Sequence, residues 1–498
     1  MGTARLQKFT QFAQKLLPHE LGYLQAVAQF QDEDKNAILE RLVHNSQPEA
    51  SFIPFDLSID RRKYSYMMNW IEQKLDTISV DKQYEWISTM ERNIMTDAIT
   101  PEEEQDLLKA IREYDKPLFY FVKFYEMAHN YRHYLLIRMR YREHEEVDKF
   151  LRRMRYTYDR SLYINERLHK ATLDITAQYA TNEKESAQWE DFLLSTFYDD
   201  NLDGQNRDLA AHRLAFLYVN YQQPEKLRQV YDYLDQMLHA GLYYSRRILA
   251  KYYANRLILH AKLREWKVAE QYGHLSVRYH GSEYLQHLTN LSAVMLRQGK
   301  EVEALNLMQQ ALPEVRKSQS YHDKTGFAAF YIKSLFRNRQ YKKAKQYAES
   351  FLRSHESEAL FLQRWHIFFT AYFQVLTQQE QFQEIRALTR KYDLEAREQR
   401  YRLGNAYLPH LNWYIKLAAY KEGKLGERTL HDLLKNDLNQ YATQKEERFK
   451  MRELLAEFER QVPVLMQQVK DVTKRSTTPA GAPEPDKSAK SEGYTPKT

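Results

Sequence analysis

Residues 288 to 312 read LTNLSAVMLRQGKEVEALNLMQQAL. Leu288, Leu291 and Met295 recur at helical spacing, Gly299 interrupts the pattern, and Ala304, Met308 and Ala311 resume it. That spacing predicts two amphipathic helices joined by a short turn. Small residues such as Ser292 and Ala304 let paired helices approach closely while the larger side chains fill the gap between turns. The whole chain has the composition for such units. Only 13 Gly and 13 Pro occur in 498 residues, too few turn-formers for a sandwich, a barrel or a Gly-rich nucleotide fold, so the fold class is all-α. Of the aromatic residues, 38 are Tyr, which can pack in a core while keeping a polar tip satisfied.

With Ala304 as anchor, small or apolar residues in the same setting recur at Val147, Ala187, Leu227, Ala269, Ala344, Ile385 and Thr429, spaced by 35 to 44 residues. Aromatics stand three residues before the anchor at Trp266, Tyr341 and Phe382, and Ala419 to Leu425 reads as another inter-helix turn. The 288–312 unit resembles a tetratricopeptide repeat, and the resemblance extends in divergent form over about residues 120 to 440. It departs from the family at the usually small eighth position, which is Leu257, Ile332 and Phe373 in three units, and in a spacing longer than 34. The resemblance implies antiparallel helical hairpins stacked as an α-solenoid. A non-repetitive all-α bundle produces similar stripes and is the alternative architecture.

The expected organisation is an N-terminal helical module at 1–119, the solenoid at 120–440, a capping helix at 441–473 and a disordered Pro/Ser/Lys-rich tail at 474–498. A capping box at Thr100-Pro101-Glu102-Glu103 starts a helix near 101, and Ser46 to Asp60 reads as a loop. The opening residues lack a signal-peptide core, and no apolar run approaches the roughly 18 residues of a membrane span. The expectation is a cytoplasmic protein without membrane contact.

Chemistry finds little support. The absence of Cys removes disulfides, thiol nucleophiles and Cys-containing metal sites. Neither a phosphate-cradling glycine loop nor a Gly-x-Ser-x-Gly elbow occurs, so no cofactor, no small-molecule substrate and no enzymatic activity are expected. Glu126, His129, His133 and His144 are the best candidate metal ligands, on a single helix stripe, and would suit an α-helical metalloenzyme; a surface stripe is the commoner meaning of that pattern. His431-Asp432 is an isolated pair.

Charge is more informative. The net charge of +7 conceals an acidic front, with 14 basic and 20 acidic side chains in residues 1–120. Residues 121–170 carry 12 basic and 7 acidic groups, and residues 324–353 carry 8 basic and one acidic. Carried onto the tetratricopeptide-like register, the ligand-facing positions are His212, Asn220, Lys251, Asn255, Lys262, Arg297, Lys333, Arg337 and Gln374, with a basic patch at Arg339, Lys342, Lys343 and Lys345. The resemblance implies a scaffold or adaptor that takes an acidic protein or peptide partner in a basic concave groove. RNA or DNA binding along the same surface is the alternative.

Overall fold

The computed structural model describes residues 6–47, 50–181, 185–354, 364–401, 408–441 and 454–467. The expected tail at 474–498 and most of the expected capping helix lie outside the described residues. Every regular element among the described residues is a helix. Two compact units are present, one up to Arg364 and one from Trp365 on.

The first unit begins with α1 (Gln7–Ala13), α2 (Pro18–Val27), α3 (Glu33–Ser46), α4 (Arg61–Ile78), α5 (Val80–Met95) and α6 (Pro101–Arg112). The loop expected at 46–60 therefore separates α3 from α4. The capping box forms as predicted: Thr100 Oγ1 accepts from the Glu103 amide at 3.3 Å, and a Glu103 carboxylate oxygen accepts from the Thr100 amide at 2.9 Å. Then come α7 (Phe121–Ile137), the 41-residue α8 (Tyr141–Thr181) and α9 (Glu190–Phe197). At 1.5 Å per residue α8 is about 60 Å long, and it passes through two cores. Phe150, Leu151 and Met154 pack with residues from α5, α6 and α7; Ile164, Leu168, Ala171 and Ile175 pack in a core shared by residues 6–80 and 193–275.

The hairpins follow: α10 (Gly204–Asn220) with α11 (Pro224–His239), α12 (Arg246–Lys262) with α13 (Trp266–Ser276), α14 (Tyr284–Arg297) with α15 (Glu301–Gln310), the short α16 (Leu312–Lys317), and α17 (Tyr321–Arg337) with α18 (Tyr341–Ser354). In the second unit, helices Trp365–Gln378 and Phe382–Lys391 pair, Leu394–Tyr401 intervenes, and His410–Lys421 precedes Glu427–Tyr441. Helical residues at 454–467 pack there too, with the Phe458 ring against Trp413 at 5.3 Å.

One turn joins all six hairpins. The backbone enters the left-handed region at Gln222, Arg264, Gly299, Arg339, Glu380 and Gly423. The next amide then returns to a carbonyl five residues back, from Gln223 to Tyr218, Glu265 to His260, Lys300 to Met295, Gln340 to Leu335, Gln381 to Leu376 and Lys424 to Ala419, at 2.8 to 3.0 Å. This is the Schellman arrangement, which satisfies carbonyls that a helix end would otherwise leave bare. Five residues after the first five turns stand Leu227, Ala269, Ala304, Ala344 and Ile385, each at most 3% exposed. These are the anchors read from sequence. Two other anchors fail: Ala187 is exposed in a 3-10 turn, and Thr429 is exposed beside the buried Leu430. Val147 is buried, but lies on α8 eight residues after the left-handed Met139.

Of the three large residues at the expected small position, Leu257 has a local remedy. Leu257 stands where the family places a small residue, and Gly273 on the facing α13 takes over the role. A Cβ there would lie 2.8 Å from a Leu257 methyl and 2.7 Å from one of Leu291. The second helix yields the space that the first no longer does. Along the first unit, α14 packs against α12, α13, α15 and α17, so the first helices α12, α14 and α17 touch in series. No helix among the described residues is long and apolar enough to cross a membrane.

Candidate partner-binding face

The shared turn fixes a register across hairpins. Two residues before each left-handed residue come Asn220, Lys262, Arg297, Arg337, Gln378 and Lys421, so Lys262, Arg297 and Arg337 hold equivalent places in three successive hairpins. Each lies in the last turn of its helix, where a cation complements the partial negative charge of the C-terminus. Helix stability alone thus accounts for a cation at this place. On the same half-exposed strips are Lys251 and Asn255 on α12 and Lys333 on α17.

Several of these side chains already have partners. Lys251 Nζ lies 3.8 Å from Glu283, and Arg337 is 3.4 Å from Glu301. Lys333 Nζ stands 5.1 Å over the Phe330 ring. The other end of the expected set is committed to the fold. His212 Nδ1 bonds the Asp208 carbonyl at 2.7 Å, and Asn220 Nδ2 donates to the Ile175 carbonyl on α8 at 3.1 Å. Because α8 packs along α10, Asn220 serves that contact, while the His212 bond lies within α10 itself. Gln374 belongs to the second unit, where its amide donates to Glu457 at 2.7 Å.

The basic patch differs. Arg339, Lys342 and Lys343 are exposed and form no ion pair with any described residue, whereas Lys345 reaches Glu349 at 3.5 Å. Lys342 and Lys343 occupy the first turn of α18, which contains no acidic residue. A helix N-terminus carries partial positive charge, so lysines there are placed against the dipole. The corresponding first turns of α11 and α15 carry Glu225, and Glu301 with Glu303. Phe336 and Tyr341 at this turn pack on each other, with ring centroids 5.3 Å apart, and are half-buried.

Most cations of the other basic stretch are engaged within the chain, although Arg142 and Lys170 are exposed and form no ion pair with a described residue. Arg138 pairs with Asp97 at 2.7 Å, Arg140 with Glu104 and Glu143, Arg152 with Asp148 at 3.0 Å and Arg155 with Asp159 at 2.8 Å, while Arg153 donates to the Tyr114 carbonyl. A 470 Å³ surface pocket between α8 and α9 is lined by Tyr156, Arg160, Tyr163, Arg167 and Phe192. Its cations are also engaged, Arg160 with Asp199 and Arg167 over the Phe192 ring at 4.0 Å.

The metal ligands suggested by the sequence do not converge. Arg132 donates to His129 Nε2 at 3.0 Å, and burial together with that guanidinium holds His129 below its ordinary pKa. Glu126 meets Lys123 and the Tyr158 hydroxyl. Among the described residues, the one group of three ligand-type side chains with donor atoms in mutual reach is His19, Asp235 and His239. Sequence reading missed it because His19 and Asp235 are 216 residues apart; only the Asp235/His239 spacing of four was visible.

Searches against family models, curated proteins and solved structures return no match for this chain.

Proposed function

We propose that the chain is a non-enzymatic helical-repeat adaptor, built from tetratricopeptide-like hairpins as a solenoid, that binds an acidic protein segment at the α17–α18 turn and along the neighbouring first helices. The solenoid reading is supported by the shared turn and by the serial contact of the first helices α12, α14 and α17. The binding reading rests on one observation: Arg339, Lys342 and Lys343 are exposed and without ion pairs among the described residues, with two of them set against the α18 dipole. Such a cluster favours an external carboxylate-rich chain, which lysines and arginines hold through charge-assisted hydrogen bonds. The packing of Phe336 on Tyr341 leaves no splayed aromatic platform at this turn, which weighs against single-stranded nucleic acid.

The test uses a fluorescent Asp/Glu-rich peptide and a single-stranded oligonucleotide against the full chain. Replacing Arg339, Lys342 and Lys343 together by Glu is expected to weaken peptide capture about tenfold or more at a melting temperature that does not fall, since acidic side chains in the first turn of α18 complement its dipole. Undiminished capture sinks the assignment. Tight oligonucleotide binding that falls steeply with salt moves the reading to nucleic acid.

A further inference from the structure

Pro18 starts α2, and His19, Glu20 and Gly22 just after it meet α11, α12 and the segment between them. Glu20 is buried and accepts hydrogen bonds from the Leu17 amide at 2.8 Å, the Tyr244 hydroxyl at 2.6 Å and Arg246 Nε at 2.9 Å. One residue away, His19 Nδ1 lies 2.7 Å from the Tyr253 hydroxyl, which fixes the ring, and Nε2 lies 3.0 Å from Asp235 Oδ1. His239 Nδ1 lies 3.2 Å from the other carboxylate oxygen, and the two imidazole centroids are 4.0 Å apart. The Tyr252 hydroxyl donates to Asp235 as well.

We propose that His19, Asp235 and His239 form a binding site for a divalent transition metal of the zinc class, which staples α2 to α11. Two imidazole nitrogens and a carboxylate oxygen, all within 4.8 Å of one another, are the donor set that zinc takes with one position left to solvent. Ligand atoms at tetrahedral zinc stand about 3.3 Å apart, as bonds of roughly 2.0 to 2.1 Å require. The His19–Asp235 and His239–Asp235 spacings are already close to that. The outer contacts are those expected of metal-binding histidines and carboxylates: Tyr253 orients His19, and Tyr252 holds Asp235. Arg256, the nearest opposing charge, is engaged by Asp232 at 2.7 Å, and Arg246 by Glu20. His239 is half-exposed, so an ion has a route in.

Gly22 is an independent sign that this space is kept for the ring. A Cβ at Gly22 would come within 3.0 Å of His239 Cδ2, so the glycine inside α2 is what lets the imidazole lie against that helix. His239 Nδ1 also bonds the Asp235 backbone carbonyl at 2.9 Å; metal takes the place of the protons on Nε2 of His19 and Nδ1 of His239, that carbonyl contact is given up, and the protons leave to solvent. Affinity therefore falls as pH drops.

The experiment titrates the full-length, EDTA-treated protein with zinc chloride by calorimetry, and with cobalt(II) followed by visible absorption. One equivalent is expected to bind with proton release, to give the intense absorption of four-coordinate cobalt, and to raise the melting temperature. His239→Gln, on a half-exposed side chain, is expected to weaken binding about tenfold or more and to abolish the cobalt signature while circular dichroism stays unchanged; Asp235→Asn is the stronger second variant. Zinc binding that is absent, or that persists with the same stoichiometry and affinity in His239→Gln, overturns the proposal. Should Asp235→Asn fail to fold, the His239→Gln result decides.

Discussion

Two stretches of this chain are rich in cations, and the fold treats them in opposite ways. On α7 and α8, Arg138, Arg140, Arg152 and Arg155 each meet a carboxylate, and Arg153 meets a backbone carbonyl. At the α17–α18 turn, Arg339, Lys342 and Lys343 stand exposed without such partners among the described residues. Local excess of positive charge was present in both by composition. What separates them is whether the chain supplies the counter-charge: Asp97 and Glu104 reach Arg138 and Arg140 from outside α7 and α8, Asp148 and Asp159 answer Arg152 and Arg155 from within α8, and among the described residues no carboxylate pairs with Lys342 or Lys343. A neutralised cation belongs to the architecture, while an unneutralised one is available to a partner.

The sharpest way to break that contrast is to remove a cation of the first kind. Arg140 joins Glu104, which is nearly buried, to Glu143, and these carboxylates push the guanidinium pKa up. Arg140→Ala leaves Glu104 without its partner and is expected to cost about 2 kcal/mol, less than the roughly 3 to 5 kcal/mol of a fully buried pair because Arg140 is about a third exposed. Urea denaturation of the variant measures it; a change below about 0.5 kcal/mol would place Arg140 with the surface cations.

A smaller effect of opposite sign is expected at the turn itself. Arg339 adopts a left-handed backbone, with φ of 58°, where Gly299 serves the equivalent turn at 77°. A side chain in this region costs about 1 kcal/mol that glycine does not. Arg339→Gly should therefore raise stability by up to about 1 kcal/mol, set against glycine's greater unfolded-state freedom, while removing one of the binding cations. Stability and peptide affinity would move in opposite directions, which denaturation and peptide titration on the same variant can read.

The smallest effect concerns pH. Burial holds His19, His260 and His287 below their ordinary pKa, so the unfolded chain binds these protons more readily than the folded one. Stability present at neutral pH is lost as pH falls through the unfolded value of about 6.5. His239 opposes this: bonding to Asp235 raises its pKa, and its contribution, complete below the ordinary value, is lost as pH rises through the raised one. The denaturation midpoint should be lower at pH 5.5 than at pH 7.5, and His287→Gln should flatten the difference. An unchanged midpoint would mean that His239 offsets these three and His129, which is held low as well.

The helical class, the hairpin turns and five of the buried anchors were legible before any coordinates, because turn chemistry and helical periodicity are properties of residues within a few positions of one another. The same locality explains the failures. Ala187 and Thr429 continued the spacing without lying at core positions, since spacing records where a turn falls and not which side chain faces inward there. Gly273, small because Leu257 on the facing helix is large, could not be read from either helix alone.

The candidate site divides along the same line. The sequence by itself determined that the chain is helical, where its repeated turns lie and where positive charge concentrates. Packing between distant elements fixes which of those charges are answered across helices, that Asn220 ties α10 to α8, and that His19 meets Asp235 across 216 residues. Charge density follows from composition and pairs such as Arg152–Asp148 from helical spacing, but the Asp97 and Glu104 pairings and the ligand geometry depend on contacts between residues far apart in the chain, and packing alone brings those together.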